Sequence, residues 1–87
     1  MPVVRLPAVL DPATAGRRRI EVSGATLGAV LNDLCKQIPT LRVHLFDPQG
    51  ALRRHVICVL DGYTRRRLDT AVAPDDEIVV LQAVSGG

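Results

Sequence analysis

The sequence predicts an α+β domain: a mixed sheet of four to five strands with one main helix packed on one face. Three observations point there. Only the stretch from Leu27 to Ile38 spaces its apolar residues as a helix does. Three other stretches, around Ile20, Ile57 and Val79, are short, rich in β-branched residues and bounded by turn residues. The chain has 87 residues, 47% of them hydrophobic, which suits one domain with one core.

The elements follow in order. Val3-Val4-Arg5-Leu6 opens a strand. Pro7 cannot donate to a ladder and bends it, and Ala8-Val9-Leu10 is expected to continue it. Asp11-Pro12-Ala13-Thr14-Ala15-Gly16 is turn chemistry. Arg18 to Val22 then alternates charged and apolar residues as a second, half-buried strand, closing a hairpin. Thr26 is placed to cap a helix whose apolar stripe is Leu27, Val30, Leu31, Leu34 and Ile38. Asn32, Asp33, Lys36 and Gln37 take the opposite face, and Pro39 ends the helix at Gln37 or Ile38. Leu41, Leu45 and Phe46 suit a short helical turn, broken by Asp47-Pro48-Gln49-Gly50. His55 to Leu60 is a third strand, Asp61-Gly62 a tight turn and Tyr63-Thr64-Arg65 a short fourth strand. Leu68 to Val72 is a loop or one helical turn, and Pro74-Asp75-Asp76 a further turn. Glu77 to Ala83 is the last strand. This order, β-β-α-β-β-β, is that of the β-grasp, or ubiquitin-like, fold. Residues 1–83 form the domain and 84–87 a flexible tail.

A sheet with one face on a helix and the other in water alternates apolar and polar residues. Val56-Ile57-Cys58-Val59-Leu60 and Ile78-Val79-Val80-Leu81 do not. Two explanations stay open. Either the uncovered face carries an apolar patch for a partner, or the segment Thr40–Gly50 folds across it.

Composition narrows the function. Cys35 and Cys58 are too few for a disulfide scaffold or a zinc site, and both sit in apolar runs as buried thiols of a reducing compartment. His44 and His55 form no metal-ligand spacing. No catalytic constellation is visible, so no residue of the chain is expected to act as a catalyst or metal ligand. The net charge is +2, with arginines clustered at Arg17-Arg18-Arg19, Arg53-Arg54 and Arg65-Arg66-Arg67. Phe46 and Tyr63 are the only aromatics, too few for single-strand nucleic-acid stacking. The clusters read as solvated edges and turns. Met1 to Arg5 is unlike a signal peptide, and no apolar run reaches the length of a membrane span. A cytoplasmic protein without a nucleic-acid or membrane partner is expected.

The tail Val84-Ser85-Gly86-Gly87 invites a chemical reading. Glycine lets a backbone pass through a narrow channel, and four residues extend roughly 13 Å. A terminal carboxylate is ionised at neutral pH and is a poor electrophile until activated as an acyl adenylate.

Three stretches carry a family resemblance: Ala25-Thr26-Leu27-Gly28-Ala29-Val30-Leu31, Val59-Leu60-Asp61-Gly62, and Asp75 through Gly87 with its strand and tail. The chain resembles the MoaD/ThiS family of ubiquitin-like sulfur carriers. Its segment Leu45 to Val56 is most similar to the CysO-type branch. Leu60 stands where many members have Asn, Asp75-Asp76 where they have Gly-Asp, and Gln82-Ala83 where a Pro is frequent. The resemblance implies that an E1-like enzyme adenylates the Gly87 carboxylate with ATP. Sulfur then displaces AMP to leave a thiocarboxylate, which is delivered to a sulfur-accepting biosynthetic enzyme. It implies that Val84, Ser85 and Gly86 thread into the partner's active site, that Leu81 and Tyr63 meet the E1-like enzyme, and that the chain binds no cofactor of its own. Cysteine, molybdopterin, thiazole and a specialised metabolite remain open as destinations, and a processing metalloprotease as a further partner. The alternatives are a protein modifier conjugated through Gly87 and an interaction module whose glycines are idle.

Overall fold

Thr26 starts the main helix as its position suggests. Its backbone is extended (φ −135°, ψ 162°), and its hydroxyl accepts the Ala29 N–H at 3.2 Å. The computed structural model describes residues 1–83. Its elements are β1 (Val3–Arg5), α1 (Asp11–Thr14), β2 (Arg19–Glu21), α2 (Leu27–Gln37), α3 (Arg42–Leu45), β3 (Val56–Leu60), β4 (Tyr63–Arg65) and β5 (Glu77–Gln82). Two 3-10 turns lie at Ala8–Leu10 and Pro39–Leu41. The five strands form one mixed sheet in the order β2-β1-β5-β3-β4, with β1 and β5 parallel and every other pair antiparallel. This is the expected α+β, β-grasp architecture.

The predicted stripe of α2 is buried in full. Leu27, Val30, Leu31 and Leu34 are inaccessible, and they meet Val4, Ile20, Val56, Cys58, Ile78 and Val80 from the sheet. Each such side chain contributes roughly 1.5–3 kcal/mol by leaving water. The loop before β5 completes the start of the helix: Leu27 N–H donates to the Thr70 carbonyl and Gly28 N–H to that of Leu68, both at 2.8 Å. Those two donors would otherwise be orphans of the first turn. At the other end Ile38 leaves helical geometry (φ −130°, ψ 84°) ahead of Pro39. The β3–β4 hairpin has Asp61 at φ 54° and Gly62 at φ 81°, the paired positive values of a two-residue type I′ turn.

Three expectations need correction or resolution. Ala8-Val9-Leu10 does not continue β1: it forms a 3-10 turn leading into α1, which Pro12 suits at a first-turn position and Ala15 closes in left-handed geometry. The turn buries Leu10, which an extended edge would leave outside. β1 and β2 therefore pair antiparallel across a folded connection rather than a compact turn. Leu68 to Val72 is a loop, held to the helix start by a bridge between Thr26 and Ala71. The segment Thr40–Gly50 does not cross the uncovered face. Leu41, Leu45 and Phe46 are buried in the helix-side core, and their segment goes with them.

Candidate functional site

The tail positions Val84, Ser85, Gly86 and Gly87 lie outside the described residues, so the site is described from its base. β5 is the central strand, bonded to β1 on one side and β3 on the other. Past its end, the Ala83 N–H still donates to the His55 carbonyl at 2.8 Å. The backbone is thus fixed to its neighbour up to the residue before the tail.

The register of β3 against β5 shows what lies beside that exit. Ile57 stands opposite Leu81, and Val59 opposite Val79. Cys58 and Val80, the intervening pair, point into the core and are inaccessible. The uncovered face therefore carries an apolar stripe of Ile57, Val59, Val79 and Leu81, with Leu81 42% exposed. Its flank is charged: Glu77 bridges Arg5 at 3.2 Å and Arg19 at 3.5 Å. The apolar patch thus lies between this charged flank and the chain exit, and contiguous patches of this kind are common at protein–protein contacts.

Leu81 and Tyr63 are not brought together. Tyr63 pairs with Leu60, a core-facing residue, and so belongs to the helix side of the sheet edge. Its ring is 65% exposed, and the Arg65 guanidinium lies over it at 5.3 Å. Ile57, Val59 and Val79 join Leu81 instead. Their signal in the sequence was the unbroken apolar run, which does not tell which residues share a face.

Arg66 was legible only as one of a cluster. Its guanidinium donates to three backbone carbonyls at the start of β3 and in the segment before it: Val56 at 2.7 Å, Leu52 at 3.0 Å and Arg53 at 3.2 Å. It thereby brackets His55, the residue that holds Ala83. Elsewhere Arg18 pairs with Asp11 at 2.8 Å and Arg67 with Asp69 at 3.0 Å, both at exposed positions.

Neither cysteine is placed to do chemistry. Both are buried and free. Burial pushes the Cys58 thiol up to about 11 against the opposing pull of Arg66, and burial raises Cys35 as well. A neutral, enclosed thiol is a poor nucleophile, so neither cysteine is placed to take up a transferred sulfur. Among the described residues, no group of three His, Cys, Asp or Glu could hold a metal ion, and no helix is long and apolar enough to cross a membrane.

Residues 4–87 match the ThiS family. The chain is 40% identical to the sulfur carrier protein CysO of Mycobacterium tuberculosis over an 89-residue alignment, which covers 97% of this chain and 96% of that one. It is also similar to the crystal structure of M. tuberculosis CysO, with a TM-score of 0.85 and 35% identity over 97% of this chain and 100% of that chain. The crystal structure of SAMP1 from Haloferax volcanii gives a TM-score of 0.83 and 32% identity over 99% and 98%.

Proposed function

Because the chain belongs to the ThiS family, we propose that it is a sulfur carrier whose Gly87 carboxylate is the group that is loaded. The observation that carries this reading is the match through Gly87, together with the likeness to CysO along nearly the whole chain. The geometry agrees with it. The backbone is held up to Ala83, the chain leaves a central strand, and an apolar face stands beside the exit.

In the proposed cycle an E1-like enzyme joins the Gly87 carboxylate to the α-phosphate of ATP, releasing pyrophosphate. Hydrosulfide supplied by the sulfur source attacks the acyl carbon, and the C–O bond to AMP breaks as the C–S bond forms. The resulting thiocarboxylate is handed to a sulfur-accepting enzyme, with cysteine biosynthesis the favoured destination. The protein is then a co-substrate of its partners in the cytoplasm, with no catalytic side chain and no bound cofactor. Val84, Ser85 and Gly86 thread the partner's channel, and Leu81 with Ile57 docks on its rim. The raised thiols Cys35 and Cys58 leave the terminus as the place for sulfur.

The test is intact mass after incubation with the E1-like enzyme, ATP and a sulfur source. The expected product is heavier by the difference between one sulfur and one oxygen, and deletion of Gly87 abolishes the gain. A lysine-linked adduct in place of that product would make the chain a modifier, and an unchanged mass would leave it an interaction module.

A further inference from the structure

We infer that the basic groove between α3 and the turn preceding β3 is a docking surface for an acidic, partly apolar segment of the enzyme that takes up the tail. The inference rests on the carrier reading above. Two adjoining clefts make the groove. The first, about 330 Å³, is lined by Arg42, Val43, Phe46, Asp47, Pro48 and Arg53 among others. The second, about 310 Å³, shares Asp47 and Arg53 with it and continues past Arg54 to His55. The His55 carbonyl is the one that holds the Ala83 N–H. The groove therefore ends where the tail begins, and an enzyme that takes the tail lies against it.

Its arginines differ from four others on the surface. Arg5, Arg18, Arg19 and Arg67 all pair with carboxylates. Arg42, Arg53 and Arg54, like Arg17, Arg65 and Arg66, form no ion pair among the described residues. The one carboxylate in the groove, Asp47, has its Oδ1 engaged by the Gln49 and Ala51 N–H groups, both at 2.9 Å. Three arginines against one aspartate leave two positive charges, and the formal net charge of the whole chain is +2. The remaining side-chain charges balance in formal count, so the groove carries the excess of two, and its Arg54–His55 end lies beside the exit.

Two of the guanidinium groups are also held in place. Arg53 Nε donates to the Val43 carbonyl at 2.8 Å, while Arg42 lies 5.5 Å over the Phe46 ring and donates to Asn32 Oδ1 at 3.2 Å. Held cations lose less freedom when a carboxylate arrives. Between them Val43 is 66% exposed, an apolar contact on a charged rim. The groove has no exposed aromatic ring on which a base could stack, since Phe46 is only 5% exposed, and this favours a protein segment over a nucleic acid.

The experiment measures pyrophosphate exchange by the adenylating enzyme of the same organism, with this chain as the varied substrate and NaCl as the second variable. The variants are Arg53→Glu with Arg54→Glu, Arg54→Glu alone, and the charge-keeping Arg53→Lys with Arg54→Lys. The double reversal is expected to raise KM by about tenfold at low salt with kcat unchanged. The single reversal is expected to give a smaller rise and the lysine pair close to none. The wild-type KM is expected to climb with salt and that of the double reversal to stay flat. An unchanged KM and an unchanged salt profile in the double reversal would overturn the docking surface while leaving the carrier intact, as would an oligonucleotide that occupies the groove without competing with the enzyme. A wild-type chain that supports no exchange at any salt sinks the carrier reading and this surface together.

Discussion

Arg66 on the strand-four side of the sheet donates to the carbonyl of Val56 at 2.7 Å, and this contact, with those to Leu52 and Arg53, ties the sheet edge to the segment that holds the base of the tail. Arg66→Ala removes the guanidinium donor from the Val56 and Leu52 carbonyls, while the Arg53 carbonyl keeps the Val56 N–H at 3.1 Å. A loss of about 1–3 kcal/mol is expected. Arg66→Lys, which cannot span three acceptors with a planar fork, is expected to recover only part of it. Urea midpoints at constant m-value measure both.

Leu81 and Ile57 face each other across the uncovered side of the sheet. Leu81→Asp removes apolar contact and places a charge in it without touching the core, so thermal stability is expected to stay within about 0.5 kcal/mol. Binding to the activating enzyme is expected to fall by at least roughly tenfold. Tyr63→Ala, on the other side of the sheet, is expected to leave that binding unchanged. Titration calorimetry with the activating enzyme separates the two positions, and equal losses from both would contradict the assignment of faces.

Gly24 has φ +147°, and a Cβ there would lie 2.8 Å from both the Ala29 Cβ and the Val30 nitrogen. Gly24→Ala therefore combines backbone strain with a clash against the first turn of α2. Destabilisation of about 2–3 kcal/mol is expected, read as a lower denaturation midpoint. A midpoint equal to wild type would mean that the helix start shifts freely.

Cys58 bears on the pH dependence of stability. Its thiol titrates near 9.0 when unperturbed and at about 11 in the fold. Between those values the unfolded chain has lost the proton and the folded one has kept it, so stability is fully present below pH 9 and falls as pH rises toward 11. The difference corresponds to about 2–3 kcal/mol. Equilibrium unfolding of wild type and Cys58→Ala from pH 7 to 11 is expected to show the wild type losing that much more. Parallel curves would show that the thiol does not contribute.

Parts of the fold were legible because they depend on local chemistry. The helix from Thr26 to Gln37 needs only a capping hydroxyl, a 3.6-residue stripe and a following proline. The Asp61-Gly62 hairpin needs two residues that tolerate positive φ. Ala8 to Leu10 misled because apolar residues after a proline suit an edge strand as well as a turn, and the core's demand for Leu10 decided between them.

By itself the sequence determined the order of the elements, the buried stripe of the helix, the inert character of the thiols and the glycine-ended tail whose likeness to sulfur carriers names its chemistry. Tertiary structure alone decided which apolar residues share the uncovered face, that Leu81 goes with Ile57 and not with Tyr63, and that Arg42, Arg53 and Arg54 line one groove that runs to the exit while Arg5, Arg18, Arg19 and Arg67 pair with carboxylates. The reason is physical. Periodicity and turn chemistry act over a few neighbouring residues, whereas register and ion pairing join residues far apart in the chain and exist only once the sheet has closed.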